Sequence, residues 1–337
     1  MYPFLLRIIV LAVLSTAFTP FAVHAAASAK PAKVRLAYLN GPRPWILGKA
    51  DGSFEKALGV PVKWVNFASG PDALKAVAAG EIDIARAGSV PVAAALARKL
   101  PIEVIAVSGV IDSSERLIAR KEIAAVKDLE GRTVTYPAGS TAHYALLAAF
   151  KVNGVDASKV KQAPLKPADE VAAWKRGDVD AAYVWGPFSN QLEAEGGHEL
   201  LKSGQLQKDG YYLFNVYVVS KKFAAAYPET VSAFLRAFKD TVNRYKADPD
   251  AAAAIIAREL GQDVSAAKQT LAGLDFPDIK EQLDAKWLGQ NKGESGISKS
   301  FADTAQFLAT LGELSRRDVP ASFAPFINTA YIAGAVR

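Results

Sequence analysis

The sequence predicts an α/β protein of two similar lobes, each a mostly parallel sheet flanked by helices, with two strands passing between them. Three observations lead there. Strand-like alternation and helix-like spacing follow one another from residue 34 onward. The same grammar restarts near residue 117. A pattern also recurs. Residues 73–84 contain Gly80-Glu81-Ile82-Asp83, and residues 171–181 contain Gly177-Asp178-Val179-Asp180; both read helix, Gly, acid, branched residue, Asp, strand. A Gly followed by a polar residue is common at helix ends. The recurrence of four residue types, each followed by Gly-Ser or Gly-Pro, favours two related units.

In the first unit, Val34–Tyr38 alternates as a strand, Asn40-Gly41-Pro42-Arg43-Pro44 is a turn, and a helix is expected over 45–57. Val62–Phe67 is a second strand, and Ser69-Gly70-Pro71-Asp72 opens a helix with Pro near its first position. That helix ends near Gly80, and Ile82–Ala85 is a third strand. Gly88-Ser89-Val90-Pro91 opens a helix to about Lys99, and Ile102–Val107 is a fourth strand. The second unit starts with a short strand, Leu117–Arg120. Gly131–Tyr136 leads through Pro137-Ala138-Gly139-Ser140 into a helix from Ala142 to Val152, and strand, helix and strand follow at 162–165, 168–176 and 180–184. Tyr211–Val219 is the longest strand candidate. Beyond it come helices at 228–246, 249–260, 264–271 and 298–311. Strands alternating with helices imply parallel pairing. Leu117–Arg120 and Val216–Val219 are the expected crossing strands.

Composition narrows the function. Arg7, the apolar run Ile8–Leu14 and the small residues ending in Val23-His24-Ala25-Ala26 form the pattern of a cleaved export signal, residues 1–25. The run is too short to span a bilayer. There is no Cys, so thiol catalysis and Cys-based metal sites are excluded, and His143 and His198 are too few for a His-built metal site. No metal and no cofactor are expected. Net charge is +6, with Lys and Arg dispersed along the chain. That speaks against nucleic acid, whose binders cluster their basic residues, and for attraction of small anions. No Ser stands in a G-x-S-x-G elbow and no phosphate loop is present, so an enzyme is not expected.

In open α/β sheets, ligands lie beyond the carboxyl ends of strands, at helix N-termini. Three short Gly-containing turns fit: Asn40 to Arg43, Gly88-Ser89-Val90 and Gly139-Ser140-Thr141. A first helical turn carries unpartnered N–H groups and partial positive charge, so it cradles anions. Ser140 can instead serve only as a cap. His143, in the same first turn, can donate to a ligand or pack. Trp185 and Tyr183 stand at a strand end facing the expected cleft, where Trp185 can pack against the apolar part of a ligand.

The residues also resemble a known family. Ser140-Thr141-Ala142-His143-Tyr144-Ala145-Leu146-Leu147-Ala148-Ala149 looks like the helix opening of taurine-binding proteins of ABC importers. Ala172–Pro187 looks like their Trp-x-Arg-Gly-Asp-x-Asp…Tyr-Val-Trp-x-Pro segment, and Pro101–Val104 and Asp303–Leu308 also match. Relatives in that family include alkanesulfonate and nitrate binders. The resemblance implies a type II periplasmic binding protein with a two-strand hinge that closes on a sulfonate in the periplasm. It implies delivery to an ABC permease and its cytoplasmic ATPase; a monomer is expected, with no nucleic-acid partner. The resulting division is lobe I at 32–121, lobe II at 122–214, and a return to lobe I with C-terminal helices at 215–337. Candidate ligand-binding residues are Asn40, Arg43, Arg86, Gly88, Ser89, Ser140, Thr141, His143, Trp185 and Asn215. Where the family pattern places acids for the taurine ammonium, this chain carries Arg43 and Asn215, and Arg86 replaces a smaller polar residue. An amine-free dianion such as sulfoacetate, a sulfate ester or a dicarboxylate is therefore an alternative ligand. A periplasmic sensor subunit is an alternative role. Thr141 is expected to donate to the ligand.

Overall fold

The computed structural model describes residues 30–336. The expected signal, residues 1–25, lies outside them. The first lobe runs β1 (Val34–Leu39), α1 (Trp45–Asp51), α2 (Ser53–Leu58), β2 (Val62–Phe67), α3 (Gly70–Ala78), β3 (Ile84–Gly88), α4 (Ser89–Ala97) and β4 (Ile102–Ile111). The second runs β5 (Glu115–Ala119), β6 (Thr133–Tyr136), α5 (Thr141–Val152), β7 (Lys161–Pro164), α6 (Pro167–Arg176), β8 (Ala181–Trp185), α7 (Phe188–Ala194) and β9 (His198–Lys202). The chain then returns through β10 (Phe214–Ser220), α8 (Lys221–Ala226), α9 (Pro228–Ala247), α10 (Pro249–Leu260), α11 (Val264–Ala272), β11 (Leu274–Asp275), α12 (Gly296–Thr310) and α13 (Ala330–Ala335).

Two sheets result. Their orders are β11-β4-β10-β3-β1-β2 and β7-β6-β8-β5-β9. The two-lobed α/β expectation holds, but both sheets are mixed rather than mostly parallel. β1 pairs in parallel with β2 and β3, and β6 with β7 and β8. β10 runs antiparallel to β3 and β4, and β5 antiparallel to β8 and β9. The expected crossing strands also need correction. β5 pairs wholly within the second sheet and β10 wholly within the first. The chain changes lobe in the short links around them, at 112–114 and across the turn Ser203–Asp209.

The recurring motif has a structural meaning. Gly80 and Gly177 both take the left-handed conformation, at φ +74° and +81°, and each ends a helix before a strand. The Asp that follows pins the neighbouring strand. Asp83 accepts the Arg35 N–H at 2.8 Å and the Arg35 Nε at 3.0 Å. Asp180 accepts the Thr133 N–H at 2.7 Å. The return bonds match as well, Asp83 N–H to Arg35 O and Asp180 N–H to Thr133 O, each at 2.9 Å. The α3–β3 and α6–β8 joints are thus one design used twice.

Period-two alternation divides the second sheet between two cores. Ala181 and Tyr183 join the main cluster, whereas Ala182 and Val184 pack with Ile118, Val171, Trp174 and Leu192 beneath α6 and α7. The helix expected over 45–57 is split at Gly52, which caps α1 and opens α2. The alternation expected to stop at Val107 continues to Ile111, carrying β4 to the lobe boundary.

Replacing Asp83 or Asp180 by Ala removes an acceptor from a strand N–H and is expected to cost about 2 kcal/mol at neutral pH, a typical loss for a hydrogen bond to a charged group. Urea unfolding measures it; wild-type midpoints in both variants would show that the carboxylates do not hold the joints.

Candidate functional site

The strand directions define one cleft. β1, β3, β4 and β8 deliver their carboxyl ends to it, and the reversed strands β5 and β10 begin there. A cavity of about 40 Å³ lies between the lobes, lined by Asn40, Arg43, Arg86, Gly88, Ser114, Glu115, Ser140, Thr141, Trp185 and Asn215, with Leu39, Gly70, Pro91 and Ile111 as its apolar wall. Eight of the ten expected site residues line it. Ser89 and His143 do not. Ser89 is fully buried at the start of α4. The His143 ring stacks on Tyr136, with ring centroids 4.4 Å apart and planes 7° apart, and its Nδ1 accepts the Gly139 N–H. It lines a separate groove with Pro71, Val90 and Glu313. Burial lowers its pKa, which favours neutral imidazole packing over donation to an anion.

The lobes touch across the cleft. A Cβ on Gly88 of β3 would stand 2.8 Å from Thr141 Cγ2 of α5, so no larger residue fits there with the lobes in this position. Gly41 in the first lobe likewise faces the Gly186 carbonyl of the second.

Two guanidiniums occupy the first lobe's side. Arg43 and Arg86 are only 6% and 5% exposed. Arg43 Nη1 donates to the Pro42 carbonyl at 2.6 Å. Arg43 Nε, Arg86 Nε and Arg86 Nη2 are buried with no partner. Neither arginine meets a carboxylate in an ion pair; Asp83, the acid nearest Arg86 in sequence, is taken by Arg35. Burial drives both pKa values down, that of Arg86 to about 10, and proximity to Arg86 lowers Arg43 further. Buried donors on charged groups are costly when unmade.

The second lobe contributes hydroxyls and one unexpected acid. Ser140 is the N-cap of α5: its Oγ donates to the Pro137 carbonyl at 2.6 Å and accepts the His143 N–H at 3.2 Å. The Thr141 Oγ1 donates at 2.6 Å to Glu115, a second residue of the cavity wall. Ser203 donates to the other Glu115 oxygen at 3.1 Å. What α5 leaves free is its first backbone N–H groups, which no helix can satisfy internally. Glu115, 2% exposed, escaped the sequence reading because nothing local marks it. Burial pushes its pKa up to about 7, against the opposing pull of the Thr141 and Ser203 hydroxyls and of Arg43. Beside the cavity, a hollow of about 290 Å³ shares Leu39, Asn40 and Trp185 with it and is lined further by Phe67, Pro167 and Phe188. Trp185 stands between the two.

The arrangement has the chemistry of an anion site. It offers buried cationic donors from one lobe and a helix N-terminus from the other, in a space that closes when the lobes approach. Among the described residues no group of His, Asp and Glu is placed to hold a metal ion, and no helix is long and apolar enough to cross a membrane.

Comparison with known proteins agrees with this geometry. Residues 43–252 match the family model described as NMT1/THI5 like. The chain is 35% identical to the taurine-binding periplasmic protein of Escherichia coli K12, over 85% of this chain and 89% of that one. It is 27% identical to a putative aliphatic sulfonates-binding protein of the same organism, over 70% of this chain and 74% of that one. The alkanesulfonate-binding protein of Xanthomonas axonopodis pv. citri, solved bound to MOPS, shares the fold with a TM-score of 0.75 at 22% identity, covering 90% of this chain and 100% of that one.

Glu115 gives the site a signature in stability. Its folded-state pKa lies above the 4.5 of an unperturbed glutamate, so the native state keeps a proton that the unfolded chain releases. Stability contributed by this group is therefore lost as pH rises from about 4.5 to about 7. Urea midpoints taken at intervals between pH 4.5 and 7.5 are expected to fall with rising pH, and Glu115→Gln to flatten that fall. An unchanged slope in the variant would assign it to other groups.

Proposed function

The chain belongs to the NMT1/THI5-like family, and on that premise we propose that it is the solute-binding subunit of an ABC importer, capturing a small organosulfonate anion by closure of its two lobes. The observation that carries this reading is the pair of buried guanidiniums of Arg43 and Arg86, neither in a salt bridge among the described residues, facing the N-terminus of α5 across the cleft. The names of the relatives supply the chemical class, taurine and aliphatic sulfonates.

In operation, the open form exposes the arginines on one lobe and the helix N-terminus on the other. A sulfonate bridging both binds the closed form more tightly, and that difference in affinity shifts the population. Its three oxygens match donors that converge from two sides. Trp185 and Asn215 close the remaining walls of the cavity. The closed form then presents one combined surface to a permease driven by a cytoplasmic ATPase. The protein would work as an exported, periplasmic carrier and perform no covalent chemistry. Thr141 supports the site through Glu115 and through the backbone of the helix it opens.

Calorimetry against short alkanesulfonates tests this reading. Saturable binding at a one-to-one ratio is expected, and absence of binding to every sulfonate tried would sink it. Gly88→Ala adds a methyl where Thr141 Cγ2 stands, which obstructs closure without touching either lobe's core. It is expected to weaken sulfonate affinity about tenfold, the equivalent of about 1.4 kcal/mol, with an unchanged melting temperature in the ligand-free protein. Undiminished affinity would place ligand capture outside this closed geometry.

A further inference from the structure

We infer that the ligand carries two anionic groups and no ammonium: a sulfonate at one end and a second carboxylate-like or sulfonate-like group at the other, Arg43 and Arg86 each taking one. This deepens the sulfonate-capture reading and rests on it.

The charge lining the cavity is the first support. Of its lining residues, Arg43, Arg86 and Glu115 alone are ionisable acids or bases. The two arginines are more than nine-tenths buried, and Arg43 Nε, Arg86 Nε and Arg86 Nη2 find no partner among the described residues. One monoanion can satisfy one planar guanidinium in bidentate fashion; a second buried cation then remains uncompensated. Two anionic ends on one short skeleton leave neither unmet.

The second support is what Glu115 is doing. An ammonium on the ligand would need a carboxylate to receive it. Glu115 Oε2 already accepts from Thr141 and Oε1 from Ser203, both from the second lobe, which leaves it only part of its acceptor capacity. The groups around it are two hydroxyls, Arg43, which shares the cavity and pulls on its charge, and the Tyr183 hydroxyl, which is paired with Ser203. Its elevated pKa weakens it further as a fixed negative charge. Asn215 supplies only a neutral amide on the β10 side. An ammonium placed here meets two guanidiniums against one acid that already accepts a hydrogen bond on each oxygen, so the balance of charge opposes it.

The test compares ligands on one two-carbon skeleton by titration calorimetry of the purified protein at pH 7: sulfoacetate, ethanesulfonate and taurine, with malonate as a sulfur-free dianion. Sulfoacetate is expected to bind at least about tenfold tighter than ethanesulfonate, and taurine most weakly, as follows from one added or one opposed charge-assisted contact. Arg43→Gln and Arg86→Gln, each checked by thermal melting, are expected to bring the sulfoacetate and ethanesulfonate affinities together. A preference for sulfoacetate below tenfold, taurine binding as tightly as sulfoacetate, or a ratio untouched in both variants overturns the two-anion proposal and leaves sulfonate capture standing. Malonate binding with no sulfonate bound overturns sulfonate capture and keeps the two-anion site. No binding by any of the four overturns both.

Discussion

Strand direction is the constraint on which this molecule depends. Each lobe is built on β-α-β units whose parallel strands end at the cleft; the second sheet has one reversed strand, β5, and the first has β10 and the two-residue β11. Because β5 and β10 enter from the other lobe, both links between lobes lie beside the site. Several of the cavity positions then follow from being at a strand end or a strand start. Asn40, Gly88 and Trp185 are ends; Glu115 and Asn215 are starts. Closing the cleft therefore brings together residues that are far apart in the chain without bending either sheet.

The energetic tension at the site is electrostatic. Two guanidiniums held within a wall of Leu39, Pro91 and Ile111 lose water and form no salt bridge among the described residues. The fold tolerates this because the cost is carried by a large surrounding core rather than by the arginines themselves. The same uncompensated charge makes an anion worth more here than on a surface, since the low local dielectric strengthens each contact it makes. In the proposed carrier, binding and closure would be one event seen from two sides, with the lobes drawn together by a charge that neither satisfies alone.

Much of this was legible in the sequence. The alternation of strand and helix, the repeated Gly-acid-branched-Asp joint and the three Gly turns led to two lobes and one cleft, and Arg43, Arg86 and Asn215 were read as departures from the taurine-binder pattern. What escaped was set by contacts distant in sequence. Glu115 carries no local mark, because its importance comes from hydroxyls at Thr141 and Ser203 on other elements. For the same reason the sequence does not show that the Thr141 hydroxyl pairs with this acid. His143 lies on the first turn of an anion-binding helix, yet one position of helical rotation turns its ring onto Tyr136. The mixed sheets were missed because β5 and β10 have the composition of buried strands, and composition does not encode direction.

The reversed strands also impose an order of assembly. All five strands of the second sheet, β5 to β9, are contiguous in the chain, so that lobe can close once Lys202 has been made. The first sheet cannot. Its β3 and β4 are not neighbours; β10 lies between them, and it is synthesised after the whole second lobe. The lobe that begins first is completed last, and until Ser220 emerges it exposes two apolar strand edges with no partner. Such edges are templates for aggregation. A nascent chain of this topology therefore needs its half-built first lobe shielded through roughly a hundred residues of further synthesis, a demand visible only in the strand order.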